Sequence, residues 1–108
     1  MYLPPIDVCE RAAEIVILVE TPGMERRDLQ ISWKDNVLTI AGNKQRSPES
    51  GAARYMCVER SFGPFHREIV INVAIDHKRA RAELRDGLMR IYLPKVRGES
   101  ERNAIPIE

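Results

Sequence analysis

Apolar and polar positions alternate along most of the chain with a period of two. From Asp28 to Lys34, Leu29, Ile31 and Trp33 fall on one side and Gln30 and Ser32 on the other. That spacing predicts a strand with one covered face. Arg67 to Val73 repeats it with Ile69, Ile71 and Val73 inward, and Arg79 to Leu84 with Ala80, Ala82 and Leu84. Leu88 to Leu93 does the same with Met89, Ile91 and Leu93. Glu14 to Glu20 differs, because Ile15-Val16-Ile17-Leu18-Val19 is unbroken between two glutamates. A short, largely β-branched run of this kind predicts a strand covered on both faces.

The strands are separated by turn chemistry. Thr21-Pro22-Gly23 ends the first long run, because Pro fixes φ and Gly permits a sharp turn. Asp35-Asn36 leads into Val37-Leu38-Thr39-Ile40-Ala41, so residues 28–42 read as a hairpin. Residues 43–54 are polar and without period and predict a long loop, followed by the apolar island Tyr55-Met56-Cys57-Val58. Ser61-Phe62-Gly63-Pro64-Phe65 reads as a turn carrying two aromatics, and Asp86-Gly87 as a tight turn. Residues 76–84 hold the one arguable helix, centred on Ala82-Glu83-Leu84-Arg85. After Pro94 the chain is polar from Lys95 to Ala104 and then turns apolar at Ile105-Pro106-Ile107-Glu108. Short strands divided by turns at fairly regular intervals predict an all-β, immunoglobulin-like antiparallel sandwich.

With 108 residues, one domain is expected. A chain of this size hides roughly two-thirds of its unfolded surface, so stability is marginal unless subunits associate. Hydrophobic residues make up 44% but aromatics only 6%, which leaves Ile, Val and Leu to build the core. The net charge of +1 supplies no field that would draw nucleic acid or an anionic membrane. No apolar run reaches the length of a membrane span, and the start of the chain lacks a signal-peptide pattern. Cys9 and Cys57 are too few for a disulfide scaffold and lack zinc-site spacing, so reduced thiols in a cytoplasmic protein are expected.

Catalysis finds little support. His66 and His77 sit in no nucleophile or metal pattern, and no Gly-rich phosphate loop is present. Glu99 and Glu101 fall in the polar exit and read as solvated. The expectation is therefore a binding protein with no catalytic residues, no cofactor and no metal.

Six segments, in order, carry a family resemblance. They are Pro5-Ile6-Asp7-Val8 with Glu10; Leu18 through Thr21-Pro22-Gly23 with Asp28-Leu29; Leu38-Thr39-Ile40 with Gly42; Glu59 to Arg67; Ala82 to Lys95; and Ile105-Pro106-Ile107. Together they resemble the small heat-shock proteins, with an α-crystallin domain and a C-terminal extension. Ile71-Asn72 stands where that family usually has Leu-Pro, and Met89 where it has Leu. Its members usually carry a longer N-terminal arm. The resemblance divides the chain into a short N-terminal remnant at 1–4, the domain at 5–95 and an extension at 96–108. In the long loop and the segment Tyr55 to Arg60 after it, the chain resembles the bacterial and plant members.

The resemblance also implies function and sites. The function is that of an ATP-independent holdase, which binds partly unfolded proteins and limits their aggregation. The alternative is a p23-like co-chaperone or scaffold module with one defined partner. The implied partners are copies of this chain, as dimers or larger assemblies, and unfolded clients. An apolar groove is placed between Leu29, Ile31 and Trp33 on one strand and Ala80, Ala82 and Leu84 on another. Its ligand is Ile105 with Ile107, which project to the same side of an extended chain, while Pro106 has no donor and suits an edge. The implied dimer surface pairs the opening strand, with Ile6 and Val8, with a segment exchanged between subunits, Tyr55, Met56, Cys57, Val58, Glu59 and Arg60. Phe62 and Arg67 complete it. Arg67 needs a partner among its apolar neighbours, and Glu59 and Asp7 are the candidates. The exchange would bring Cys57 toward the partner's Cys9, which makes an intersubunit disulfide conceivable.

Overall fold

The structure is a computed structural model, and it describes residues 2–46, 49, 51 and 53–96. Seven strands follow one another: β1 (Ile6–Glu10), β2 (Glu14–Glu20), β3 (Leu29–Lys34), β4 (Val37–Lys44), β5 (Gly63–Val70), β6 (Arg81–Arg85) and β7 (Leu88–Pro94). Single 3-10 turns lie at Arg26–Asp28 and His77–Arg79. The strands form two antiparallel sheets, ordered β1-β2-β7-β6 and β3-β4-β5.

The unbroken run in β2 is covered on both faces, as its composition requires. It lies between β1 and β7, with Ile15, Ile17 and Val19 buried on one side and Val16 on the other. The core between the sheets is aliphatic: Ile17, Val19, Leu38, Ile40, Ile91 and Leu93 are each almost fully enclosed. Removing one such side chain from water contributes roughly 1.5–3 kcal/mol before entropy is counted.

Two-residue turns fix the register of two hairpins. Asp35 and Asn36 join β3 to β4, and Asp86 and Gly87 join β6 to β7. All four have positive φ, between 50° and 74°, which matches the turn to the right-handed twist of the strands. The second turn is tied to the end of β2, where the Thr21 amide and hydroxyl both donate to the Gly87 carbonyl. Gly42 is demanded by close approach. A Cβ there would stand 2.5 Å from the Asp28 carbonyl oxygen and 2.8 Å from the Phe65 ring.

Three features correct or refine the sequence reading. Gly63, Pro64 and Phe65 belong to β5 and do not form a turn, because Phe65 packs across from Gly42 and extends the β4 pairing to Lys44↔Gly63. Pro64 is tolerated since β5 is an edge strand. Residues 76–84, where a helix is also arguable, form one 3-10 turn and then β6, in keeping with the alternation of Ala80, Ala82 and Leu84. The third lies before Pro5, where Tyr2 and Pro4 are buried and Tyr2 joins the core cluster against Phe65.

Candidate functional site: an open seam and a free edge

The two sheets meet along β3 and β6, each the edge strand of its sheet. Leu29, Ile31 and Trp33 project from β3 toward this junction. Ala82 and Leu84 project from β6, and Ala80 stands just before it. Alanine is short, so the facing walls do not close. Two hollows result. One, of about 350 Å³, is lined by Ile31, Trp33, Ala80 and Ala82 above a floor of Leu38, Ile91 and Leu93, with Ser32, His77 and Arg81 at its rim. The other, of about 310 Å³, is lined by Leu29, Ile31, Ala82, Leu84 and Met89, with Arg26 and Glu83 beside it. Ile31 and Ala82 line both, which makes a continuous apolar seam. Ile31 remains 38% exposed there, high for an isoleucine between two sheets.

All six residues that the family resemblance assigns to a groove line this seam. The sequence reading missed the floor. Leu38, Met89, Ile91 and Leu93 were legible as inward positions of β4 and β7, but nothing local showed which of them β3 and β6 would leave uncovered. Ile105 and Ile107 lie outside the described residues.

The second cluster of predicted residues sits at the β1 edge and in the loop before β5. Ile6 packs against the core, while Val8 is exposed on a strand with no neighbour beyond it among the described residues. Tyr55, Met56 and Val58 are exposed, Met56 at 96%. Residues 55–60 join no sheet among the described residues. They are held by cation–aromatic contacts. Arg46 lies 5.0 Å from the Tyr55 ring, and Arg60 lies 4.9 Å from that of Phe62. The Glu49 amide donates to the Tyr55 hydroxyl at 3.0 Å, and this bond, with Arg46 beside it, lowers the Tyr55 pKa. Glu59 lines a small hollow with Arg46, Arg60 and Phe62.

Within one chain Arg67 pairs with neither Glu59 nor Asp7. It donates to the Pro4 carbonyl at 3.0 Å. The β5 edge and the stretch before β1 thus meet through a backbone acceptor that side-chain chemistry did not suggest. Cys9 and Cys57 are both exposed free thiols. Among the described residues no three His, Cys, Asp or Glu side chains gather in metal-binding geometry, and no helix is long and apolar enough to cross a membrane.

Among the described residues, seven antiparallel strands form a sandwich with an apolar seam open on one side and a sheet edge free on another, the architecture of an α-crystallin domain. Residues 7–108 match the Hsp20/alpha crystallin family, and the chain belongs to it. Over 107 residues it is 36% identical to "Heat shock protein 16" of Schizosaccharomyces pombe, covering 97% of this chain and 75% of that protein. "Small heat shock protein C4" of Rickettsia felis is 33% identical over 92 residues, which are 85% of this chain and 56% of the relative. The chain thus spans from about half to three quarters of the length of these two relatives. Among solved structures, "Heat shock protein 16.0" from Schizosaccharomyces pombe superposes with a TM-score of 0.83 at 34% identity and full coverage of both chains. A small heat-shock protein from Xylella fastidiosa gives 0.80 at 22% identity, over 99% of this chain and 94% of that one, which speaks for the fold.

Proposed function

We propose that this protein is an ATP-independent chaperone that holds partly unfolded polypeptides and assembles through dimers into larger homo-oligomers. The observation that carries this reading is the seam between β3 and β6, where no strand among the described residues covers Ile31, Trp33 and Leu84. Apolar surface of that kind is filled by extended segments of other chains. Its natural occupant is the Ile105-Pro106-Ile107 segment of a neighbouring subunit. On this reading residues 5–95 are the domain, with Tyr2 and Pro4 packed against it, and residues 96–108 are the tether and ligand.

The dimer forms where β1 offers its free edge and residues 55–60 cross from the partner, with Phe62 and Arg67 beside the junction. Exposed Val8, Tyr55, Met56 and Val58 support this, since an unpaired edge and an unpaired apolar segment complete each other. Clients would compete for the surfaces that assembly covers, so trading self-contacts for client contacts needs no nucleotide. No catalytic step, cofactor, nucleic acid or membrane enters the mechanism, and the compartment is the cytoplasm, where Cys9 and Cys57 stay reduced.

Light scattering tests the reading. Added to a heat-labile enzyme without nucleotide, the protein is expected to suppress aggregation in proportion to its concentration, and to do so for unrelated clients. A single-partner adaptor would leave arbitrary clients to precipitate, and that result would remove the holdase assignment.

A further inference from the structure

The sandwich has a second long side, opposite the seam, flanked by β1 and β5, and residues 2–4 lie in it. Tyr2 and Pro4 are buried and Leu3 between them is 58% exposed, the alternation of an extended segment with one covered face. Along β5 the segment keeps step. The Tyr2 ring meets Phe65, and two residues on, the Pro4 carbonyl accepts from Arg67 Nη1. Phe65 and Arg67 stand two apart on β5, across from Gly42 and Ile40 of β4. Toward the other sheet, the Tyr2 hydroxyl donates to the Glu20 carbonyl at 2.6 Å, and the Glu20 amide donates to the Pro5 carbonyl at 3.1 Å. Residues 2–4 thus bridge both sheets and belong to neither.

What holds them is chemistry that other polypeptides carry. The place of Tyr2 offers the edge of Phe65 and the Lys44 ammonium, 4.4 Å from the ring centroid. Any aromatic ring satisfies both. Arg67 and the Glu20 amide read main-chain carbonyls, which every residue has. Among the described residues no backbone–backbone hydrogen bond reaches residues 2–4, whereas β1 is held to β2 by a continuous ladder. A segment attached this lightly opens at a lower free energy than the whole fold.

Resting on the chaperone reading above, we propose that residues 2–4 are a removable strap. The cleft beneath them, between β1 and β5, binds extended segments of partly unfolded clients that carry an aromatic residue two positions before an apolar one. While the strap is seated, a client competes with a segment already tethered in place. Heating opens the strap, and the cleft is then offered.

A reversible lock tests this in the full-length chain. Leu3 and His66 are exposed and lie between the paired positions, so Leu3→Cys with His66→Cys, in a Cys9→Ser and Cys57→Ser background, can be joined by a short bismaleimide with a reducible spacer. Locked, the protein should lose most of its suppression of malate dehydrogenase aggregation on heating, and reduction of the spacer should restore it. A fluorescein-labelled Tyr-Leu-Pro-Pro peptide reports the cleft independently. With the strap open in about 10% of molecules or fewer, Tyr2→Ser should bind this peptide about tenfold more tightly than the unaltered protein, or better. Neither should bind Ser-Leu-Pro-Pro. Equal affinity in the two proteins would overturn the cleft. Holding that the lock leaves unchanged would overturn the client as its occupant. Crosslinks that join two chains would do so too, since a neighbour's residues 2–4 then fill the cleft. A protein that holds no client, locked or reduced, would remove the chaperone reading and the client with it, whereas the peptide still decides whether the strap covers a cleft.

Discussion

The Tyr2 hydroxyl donates to the Glu20 carbonyl at 2.6 Å, and its ring meets that of Phe65 edge-on at a centroid distance of 5.7 Å. Lys44 lies over the same ring at 4.4 Å. Burial, with the Glu20 carboxylate adding to it, raises the Tyr2 pKa above its ordinary 10.0. A raised folded-state value means the neutral phenol is the form the fold favours. Its contribution is complete below the unfolded value and is lost as pH rises through the folded one. Thermal melts from pH 7 to 11 should therefore show an alkaline loss of Tm that is shallower in Tyr2→Phe. At neutral pH that variant should be less stable by about 1 kcal/mol, for the missing hydrogen bond. Gly42 makes the opposite kind of demand, for absence of a side chain. Gly42→Ala would drive a methyl into the Asp28 carbonyl, which is backbone and cannot swing aside. The expected cost is about 1–3 kcal/mol, read as a lower midpoint in urea with unchanged slope.

At the scale of elements, the segment before β5 joins neither sheet and β1 has no outer neighbour among the described residues. Deleting residues 55–60 should yield a folded monomer, since no core residue lies in that stretch. Sedimentation that still shows a dimer would refute the exchanged-segment interface. Period-two alternation made β3, β6 and β7 legible, because each has one covered face, and β2 was legible because it has two. The start of β5 was not. Gly63 and Pro64 have turn chemistry, and only the long-range fit of Phe65 over Gly42 overrides it. Tyr2 was missed for a related reason, since one aromatic before two prolines has no period and its partners Glu20 and Phe65 lie far along the chain. Of the site, the walls were named in advance by resemblance. The charged rim of His77, Arg81, Arg26 and Glu83 was not, because rim positions are set by where two edge strands happen to meet.

For the whole molecule, the question is whether two isoleucines can hold an assembly together. Burying both contributes roughly 3–6 kcal/mol, and ordering the segment takes back a large share, about 1–2 kcal/mol for each residue fixed. A single docked tail is therefore weak and exchanges readily. On the proposed docking a dimer would carry two tails and two seams, so a closed assembly would engage many such contacts at once, and linked sites would raise the effective concentration of each. Lys95 and Val96 are bonded into the domain, so residues 97–104 reach at most about 26–29 Å, which would limit the proposed docking to adjacent subunits. Weak, repeated and short-tethered contacts would make an assembly that is stable as a whole and open locally, which is what the proposed release of apolar surface to a client requires. Ile105→Ala with Ile107→Ala should leave the fold and the dimer intact and shift larger species to dimers in native mass spectrometry. Because every contact is weakened together, that shift should be steep and not graded; an unchanged mass distribution would mean the seam is not what joins one dimer to the next.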